Sequence, residues 1–208
     1  MGKNILFSYK MTTDTGFAPN PFHGITTLAT CKWQIRKIKK IIENENLYLA
    51  GFTSKKLCNE EVGSERLIYI MKVTEKLLFK DYFIDPRFNC KKPSLENESL
   101  ITRVGDNIYE PTEHPEVFIQ LENYQHDCGN MEEDLKGEYV LISDYFYYFG
   151  LGAIAIDNLG INIPRYQTGH GVKTENCEKL LDYLRKYFTN NIIINSPHKW
   201  NENEPYTQ

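Results

Sequence analysis

The sequence lacks any apolar run that approaches the roughly 20 residues of a membrane-spanning helix. Its first residues, MGKNILFSYK, also lack the continuous apolar stretch of a secretory signal peptide. We therefore expect a cytoplasmic protein that has no membrane partner.

Cysteine motifs are missing as well. The five cysteines are odd in number and widely spaced, and none belongs to a C-x-x-C pair. This pattern excludes a disulfide framework and a zinc ribbon, and it favours free, mostly buried thiols. The zinc-deaminase, zincin, Walker and dinucleotide-binding motifs are also absent. The TGHG turn at 168–171 does not match any known phosphate-binding motif among them. We predict neither a metal nor a cofactor.

An overall positive charge is a further absence. The formal net charge is −4, which argues against a general cationic surface for nucleic acid. Positive charge is instead local: residues 32–40, KWQIRKIKK, carry five of the 24 basic side chains and no acid. This distribution favours a small ligand or a short single strand over a long polymer.

The hydrophobic patterns indicate one α+β domain over residues 1–195, followed by a frayed tail at 196–208. We predict an antiparallel, barrel-like sheet flanked by helices. Alternating or β-branched segments predict the strands KNILFSY, GITTLAT, NLYLAGFTS, RLIYIMKVTEKLLF, VFIQLENY and GEYVLISDYFYYFG. Helical spacing predicts a basic helix from Cys31, a short helix that ends at Asp85-Pro86, and a last helix with Thr174 as its N-cap.

The segment 14–23, DTGFAPNPFH, is longer and stiffer than an ordinary connection. Its prolines fix φ, so a loop of this kind loses little entropy when it binds a ligand. Phe17 and Phe22 could stack on a base, and Asn20 could recognise a base edge. The alternative is that both rings fill the core and that Asn20 forms an Asx-turn with the backbone.

Two further groups are candidates for ligand binding. Lys32 and Arg36 on the basic helix could hold phosphate, although a solvated charged face is the alternative reading of such a helix. In the aromatic strand, alternation predicts that Asp144, Phe146 and Tyr148 share one face. Tyr148 would then stack on a base and Asp144 would recognise its edge, unless the acid merely caps a turn.

A catalytic role is an alternative for four residues. Cys31 could be a nucleophile if His126 or His170 lay beside it in space, and Asp144 could be an acid or base. The competing interpretation of Cys31 is a buried structural thiol.

Several blocks of the sequence resemble the nucleotide modification associated domain 2 family. These blocks are DTGFAPNPF, TLATCK, AGFTS, YIMKVTE, DPRF, GDNIY, VLISDYFYYFG and TGHG. The resemblance covers nearly the whole chain and implies an association with modified nucleotides or DNA bases in bacteria and phages. A looser similarity to EVE, ASCH and other PUA-like domains implies a small open barrel that binds a base between its strands and first loops.

Together, the residues and the resemblance predict a PUA-like domain that binds a nucleotide or an unpaired or flipped base in a DNA-modification or phage-conflict setting. One alternative is a base- or nucleotide-modifying enzyme. Another is a protein that docks on a host enzyme, which would require an exposed apolar patch and no concave pocket.

Overall fold

The computed structural model describes residues 3–37, 45–96, 99–114, 116–160, 172–174 and 177–200. In these ranges the strands are β1 (Lys3–Lys10), β2 (Thr26–Leu28), β3 (Glu45–Phe52), β4 (Leu67–Lys72), β5 (Glu75–Leu78), β6 (Tyr109–Pro111), β7 (Phe118–Gln120), β8 (Tyr139–Ser143), β9 (Tyr145–Tyr148), β10 (Val172–Thr174) and β11 (Ile192–Ile193). The α-helices are α1 (Trp33–Arg36), α2 (Lys55–Cys58), α3 (Phe79–Ile84), α4 (Leu100–Arg103), α5 (Cys128–Leu135) and α6 (Glu178–Tyr187). Short 3-10 helices cover Pro86–Lys91, Gly150–Gly152 and Asp157–Leu159.

The fold is mixed α+β with several sheets. A six-stranded sheet has the order β10-β1-β3-β4-β9-β11, a three-stranded sheet has the order β2-β8-β5, and β6 pairs with β7. We predicted an antiparallel sheet, but the pairs β1–β3 and β9–β11 of the large sheet are parallel. The reason is that the chain runs through β2 and α1 between β1 and β3 instead of turning back directly.

Two bent strands connect the large sheet to the three-stranded sheet. The run RLIYIMKVTEKLLF divides into β4 and β5 at Val73-Thr74, and GEYVLISDYFYYFG divides into β8 and β9 at Asp144. In each run one half pairs in the large sheet and the other half in the small one, where β8 joins β5. Sheets joined in this way are compatible with an open barrel, and the PUA-like barrel itself stays a prediction.

Strand alternation places the core on both faces of the large sheet. Leu6, Tyr48 and Ala50 pack on one face beneath α6, whose Leu180 and Leu184 are fully buried. The other face packs against the three-stranded sheet and α1 and contains Tyr9, Leu49, Tyr69, Phe146 and Tyr148. Tyr9 on this second face also lines the cleft that is described below.

Two local predictions need correction. The N-cap of α6 is Cys177 rather than Thr174, because Thr174 pairs with Leu6 as the last residue of β10. The thiols are free, as expected, but mostly not buried: Cys177 is buried, Cys31 and Cys58 are half-buried, and Cys90 and Cys128 are exposed.

Residues 196–200 belonged to the expected tail, yet they pack on the segment 14–23, which we call the opening loop. The Trp200 indole stacks on Phe22 with ring centroids 5.2 Å apart, and its Nε1 donates to the carbonyl oxygen of Thr15. Within the ranges that the structure describes, no helix is long and apolar enough to cross a membrane.

Candidate active site

Cys31 lies between β2 and α1 in an unusual backbone conformation. Cys31 and Lys32 both have positive φ, 56° and 42°, a left-handed conformation that side chains with a Cβ rarely adopt. Two such residues in succession persist only when their surroundings hold them. The backbone N–H of Cys31 donates to Oδ1 of Asp134 at 2.5 Å, and its carbonyl oxygen accepts from Nε of Arg36 at 2.7 Å.

His126 reaches Cys31 from a distant part of the chain. Its Nε2 lies 3.4 Å from Sγ of Cys31, and its Nδ1 lies 2.8 Å from Oδ2 of Asp134. The backbone N–H of His126 donates to the side-chain oxygen of Asn123, and the edge of the Phe17 ring covers its imidazole at a centroid distance of 4.9 Å. Cys31, His126 and Asp134 therefore form a continuous hydrogen-bonded line.

The helix α5 positions Asp134 in its last turn. Asp127 caps the start of α5 and, together with Asn130, forms a capping box, which fixes the helix directly after His126. Besides the bonds already named, Oδ2 of Asp134 accepts from the Tyr109 hydroxyl at 2.7 Å. Sequence reasoning missed both α5 and Asp134, because the segment CGNMEEDL has no apolar stripe and its cap residues were the remaining signal.

Arg36 is fully buried and supports the same line of residues. Its Nη2 donates to the Asp134 carbonyl oxygen at 2.6 Å, its Nη1 donates to the Tyr139 carbonyl oxygen at 3.1 Å, and Nη2 lies 3.5 Å from Oδ1 of Asp134. Burial lowers the pKa of Arg36, and the Asp134 carboxylate opposes that effect. The guanidinium thus neutralises the Asp134 carboxylate and holds the turn at Cys31.

The ionisation of His126 reflects these neighbours. Burial alone lowers the pKa of its imidazole, but the hydrogen bonds to Asp134 and Cys31 outweigh it and raise the pKa to about 9. The imidazolium form is therefore favoured at neutral pH. Burial and the Asp134 charge also raise the pKa of the Tyr109 hydroxyl, which stays a hydrogen-bond donor to Asp134.

Cys31 opens into a cleft of about 430 Å³. Its walls come from β1, the opening loop, the start of α1 and α5. The lining residues are Tyr9, Met11, Thr12, Thr13, Ala18, Cys31, Lys32, Trp33, Gln34 and Glu133. The opening loop is thus one wall of a cleft, and Cys31, the residue at one end of the hydrogen-bonded line, also lines it.

Lys32 is the residue of the predicted ligand set that lines this cleft. Its Nζ lies 4.4 Å from the centroid of the Tyr9 ring, a cation–π contact. Burial lowers the pKa of Lys32, and the neighbouring Cys31 opposes this shift. A partly desolvated ammonium of this kind suits an anionic ligand group.

The other predicted ligand-binding residues lie in the interior. Asn20 forms the Asx-turn that we considered as an alternative, with its side-chain oxygen 3.4 Å from the N–H of Phe22, and it also donates to the Val104 carbonyl oxygen. Phe17 and Phe22 are 3% and 4% exposed, and Tyr148 donates to Oδ1 of Asp14 at 2.5 Å. Their role in ligand binding stays a prediction, and their present contacts are with the protein.

Buried charges anchor the opening loop. Nζ of Lys91 lies within 3.0 Å of four oxygens, among which its three N–H groups are shared: the carbonyl oxygens of Asn20, Phe22 and Ile25 and Oδ1 of Asn20. The buried Asp106 accepts from Thr27 and Tyr82 nearby. Burial lowers the pKa of Lys91 to about 8. Sequence reasoning did not single out this lysine, although Asp106 lies in the quoted block GDNIY.

The remaining predicted catalytic residues are Asp144 and His170. Asp144 is exposed at the junction of β8 and β9, where its backbone N–H donates to the Thr74 hydroxyl. It does not share a strand face with Phe146 and Tyr148, because the strand breaks at this residue. His170 lies outside the described residues. In the part of the chain that the structure describes, no group of three or more His, Cys, Asp or Glu side chains could hold a metal ion.

Comparison with known proteins assigns the chain to a family. No curated protein and no solved structure matches it. One family model matches over residues 3–204, which is nearly the entire sequence, and its description is nucleotide modification associated domain 2. The chain therefore belongs to the nucleotide modification associated domain 2 family and is associated with nucleotide-modification systems.

Proposed function

We propose that this protein binds a nucleotide, or a base that is unpaired or flipped out of a short single strand, in the cleft beside Cys31. The binding would serve a DNA-modification or phage-conflict system. The observation that carries this proposal is the cleft itself, which combines a cation, aromatic side chains and an acid within about 430 Å³. That volume falls within the range of about 300–1,000 Å³ that small-molecule sites occupy.

The lining offers partners for the phosphate and the base of a nucleotide. The Lys32 ammonium would hold phosphate, since an anion offsets the burial that lowers the pKa of this group. Trp33 would stack on the base, a contact worth about 1–3 kcal/mol. Glu133 would accept a hydrogen bond from an N–H group of the base, because an ionised carboxylate is an acceptor.

The interior residues predicted from sequence would act on the cleft indirectly. Phe17 covers His126, and Arg36 holds Cys31 and Asp134 in place. Asn20, which accepts from Lys91, anchors the opening loop that supplies Ala18 to the lining. The presence of a concave cleft supports ligand binding over the protein-docking alternative, which expects none.

The test is a calorimetric titration with mononucleotides, modified nucleotides and short single-stranded oligonucleotides. We expect Lys32→Gln to weaken binding about 10-fold or more, because a charge-assisted hydrogen bond contributes about 1.5–3 kcal/mol. Lys76→Gln is the matched control: Lys76 also lies over a tyrosine ring, at 4.9 Å from the centroid of Tyr139, but it does not line the cleft. Absence of binding by every ligand at millimolar concentration, or equal weakening by both variants, would overturn the proposal.

A further inference from the structure

We infer that Cys31 is a nucleophile that forms a covalent bond with an electrophilic carbon of the ligand in the cleft, with His126 as its base and Asp134 as the positioning residue. This inference rests on the proposed function for the identity of the ligand, namely a base or nucleotide. The reactivity of the thiol rests on the geometry of the three side chains alone.

The hydrogen bonds determine which nitrogen of His126 can accept the thiol proton. Oδ2 of Asp134 is an acceptor that lies 2.8 Å from Nδ1, so Nδ1 carries a hydrogen and donates it. In the neutral ring, Nε2 is then the acceptor, and it lies 3.4 Å from Sγ of Cys31. This is the arrangement of nucleophile, base and orienting group that activates a thiol.

The surroundings favour separation of charge between Cys31 and His126. Arg36 already neutralises Asp134, so a proton moved from sulfur to imidazole produces a second, adjacent ion pair. The imidazole is sheltered, with its side chain 12% exposed, and the opposing charges are therefore weakly screened. A thiolate is the reactive form of cysteine, and a neighbouring imidazolium stabilises it.

The backbone of Cys31 is fixed by the same network. Its N–H is bound by the carboxylate that holds His126, and its carbonyl oxygen is bound by the guanidinium that holds that carboxylate. A thiol that merely fills core space has no need of two backbone anchors in a left-handed conformation. Since Cys31 also lines the cleft, the anchored residue is one that a ligand there would meet.

The proposed step balances without a further reactant. In the thiolate–imidazolium pair, Nε2 of His126 holds the proton that came from the Cys31 thiol. A sulfur electron pair of the thiolate forms the S–C bond to an unsaturated carbon of the ligand. The π-electron pair of that carbon moves to the neighbouring oxygen, nitrogen or carbon atom. That atom takes the proton back from Nε2, and the product is a neutral covalent adduct.

The test is alkylation by iodoacetamide, in which the thiolate forms an S–C bond and iodide leaves. Peptide mass spectrometry would follow each cysteine, and the exposed Cys90 and Cys128 serve as controls within the same molecule. An ordinary thiol is only about 1% thiolate at pH 6.5. We expect Cys31 to react about 10-fold faster than both controls at this pH, although it is less exposed.

Variants assign the effect to the network. His126→Gln should remove the rate advantage of Cys31 at pH 6.5 and leave the rates of Cys90 and Cys128 unchanged. Asp134→Asn should shift the pH profile of Cys31 alkylation, which a purely structural role would not do. Equal rates for the three cysteines in the wild-type protein would overturn the inference, and this comparison holds even if a variant does not fold.

A protection experiment separates this inference from the proposed function. Fast alkylation of Cys31 that slows when a mononucleotide is added supports both. Fast alkylation that no nucleotide slows supports the reactive thiol and overturns the nucleotide as its ligand. Nucleotide binding with an unreactive Cys31 overturns the inference and leaves the proposed function in place.

Discussion

Arg36 and Asp134 are 98 residues apart in the chain, yet Nη2 of Arg36 donates to the Asp134 carbonyl oxygen at 2.6 Å in the fully buried interior. The same guanidinium binds the carbonyl oxygens of Cys31 and Tyr139. One side chain therefore joins the start of α1, the end of α5 and the start of β8. The Cys31–His126–Asp134 line depends on this junction.

We expect Arg36→Met to lower the free energy of unfolding by about 3–5 kcal/mol, because the substitution takes the guanidinium away from the buried Asp134 carboxylate and removes the donor to the Cys31 carbonyl oxygen. Urea unfolding measures the change. The matched control is Lys37→Met: Lys37 is half-exposed and pairs with Glu138 at 3.2 Å, an interaction worth about 1 kcal/mol or less. A loss at Arg36 no larger than that at Lys37 would show that the junction is unimportant for stability.

Lys91 gives a second stability prediction. We expect Lys91→Met to cost about 3 kcal/mol or more, because it removes the buried ammonium that bonds the Phe22 and Ile25 carbonyl oxygens and both oxygens of Asn20. The neighbouring Lys92 is the control, since its Nζ lies 4.0 Å from the centroid of the Phe83 ring and a cation–π contact there contributes about 0.5–1 kcal/mol. Thermal unfolding of both variants makes the comparison, and similar losses would contradict the assigned role of Lys91.

Much of the local structure follows from sequence patterns. Alternation predicted β1, β3 and β4, and the Asp85-Pro86 pair marked the end of α3. These features are local, so a short window of residues contains the information. The breaks at Val73-Thr74 and Asp144 were missed, because they arise where two strands exchange one sheet for the other and not from local propensity.

The candidate site was predictable in part. Cys31 and His126 were candidates because their side chains are chemically reactive, and a pairing in space was an explicit alternative. Asp134 stayed hidden, since it is one of three consecutive acids and 103 residues separate it from Cys31. The burial of Arg36 was equally hidden, because its guanidinium donates to Tyr139 and Asp134, which lie far along the chain, as well as to Cys31. These bonds offset the usual preference of a guanidinium for solvent.

The ionisation of His126 predicts a pH dependence of stability. The pKa rises from about 6.5 in the unfolded chain to about 9 in the folded protein, so protonation of His126 favours folding. This stabilisation is complete below pH 6.5, decreases as the pH rises and is lost above pH 9. The full difference corresponds to about 3 kcal/mol.

The difference in unfolding free energy between wild type and His126→Gln, measured from pH 6 to 9.5, isolates this effect from other titrating groups. We expect the difference to shrink as the pH rises. His114→Gln is the control for the loss of an imidazole, since His114 is exposed and lies outside this hydrogen-bonded line. A difference for His126→Gln that is independent of pH would mean that the hydrogen bonds to Asp134 and Cys31 do not favour the imidazolium.

The contact between Trp200 and Phe22 predicts that the segment after 195 stabilises the opening loop. The two rings stack at an interplanar angle of 15°, the Trp200 indole N–H donates to Thr15, and Asp14 accepts from the backbone N–H of His198. We expect Trp200→Ala to cost about 2 kcal/mol, a fall in melting temperature of about 4–8 °C for a chain of this length. Trp200→Phe keeps a ring over Phe22 and loses the N–H bond, so its cost should be about 1 kcal/mol. A melting temperature that neither variant changes would favour the view that this segment is a frayed tail, whereas the graded loss would show that residues up to Trp200 stabilise the opening loop.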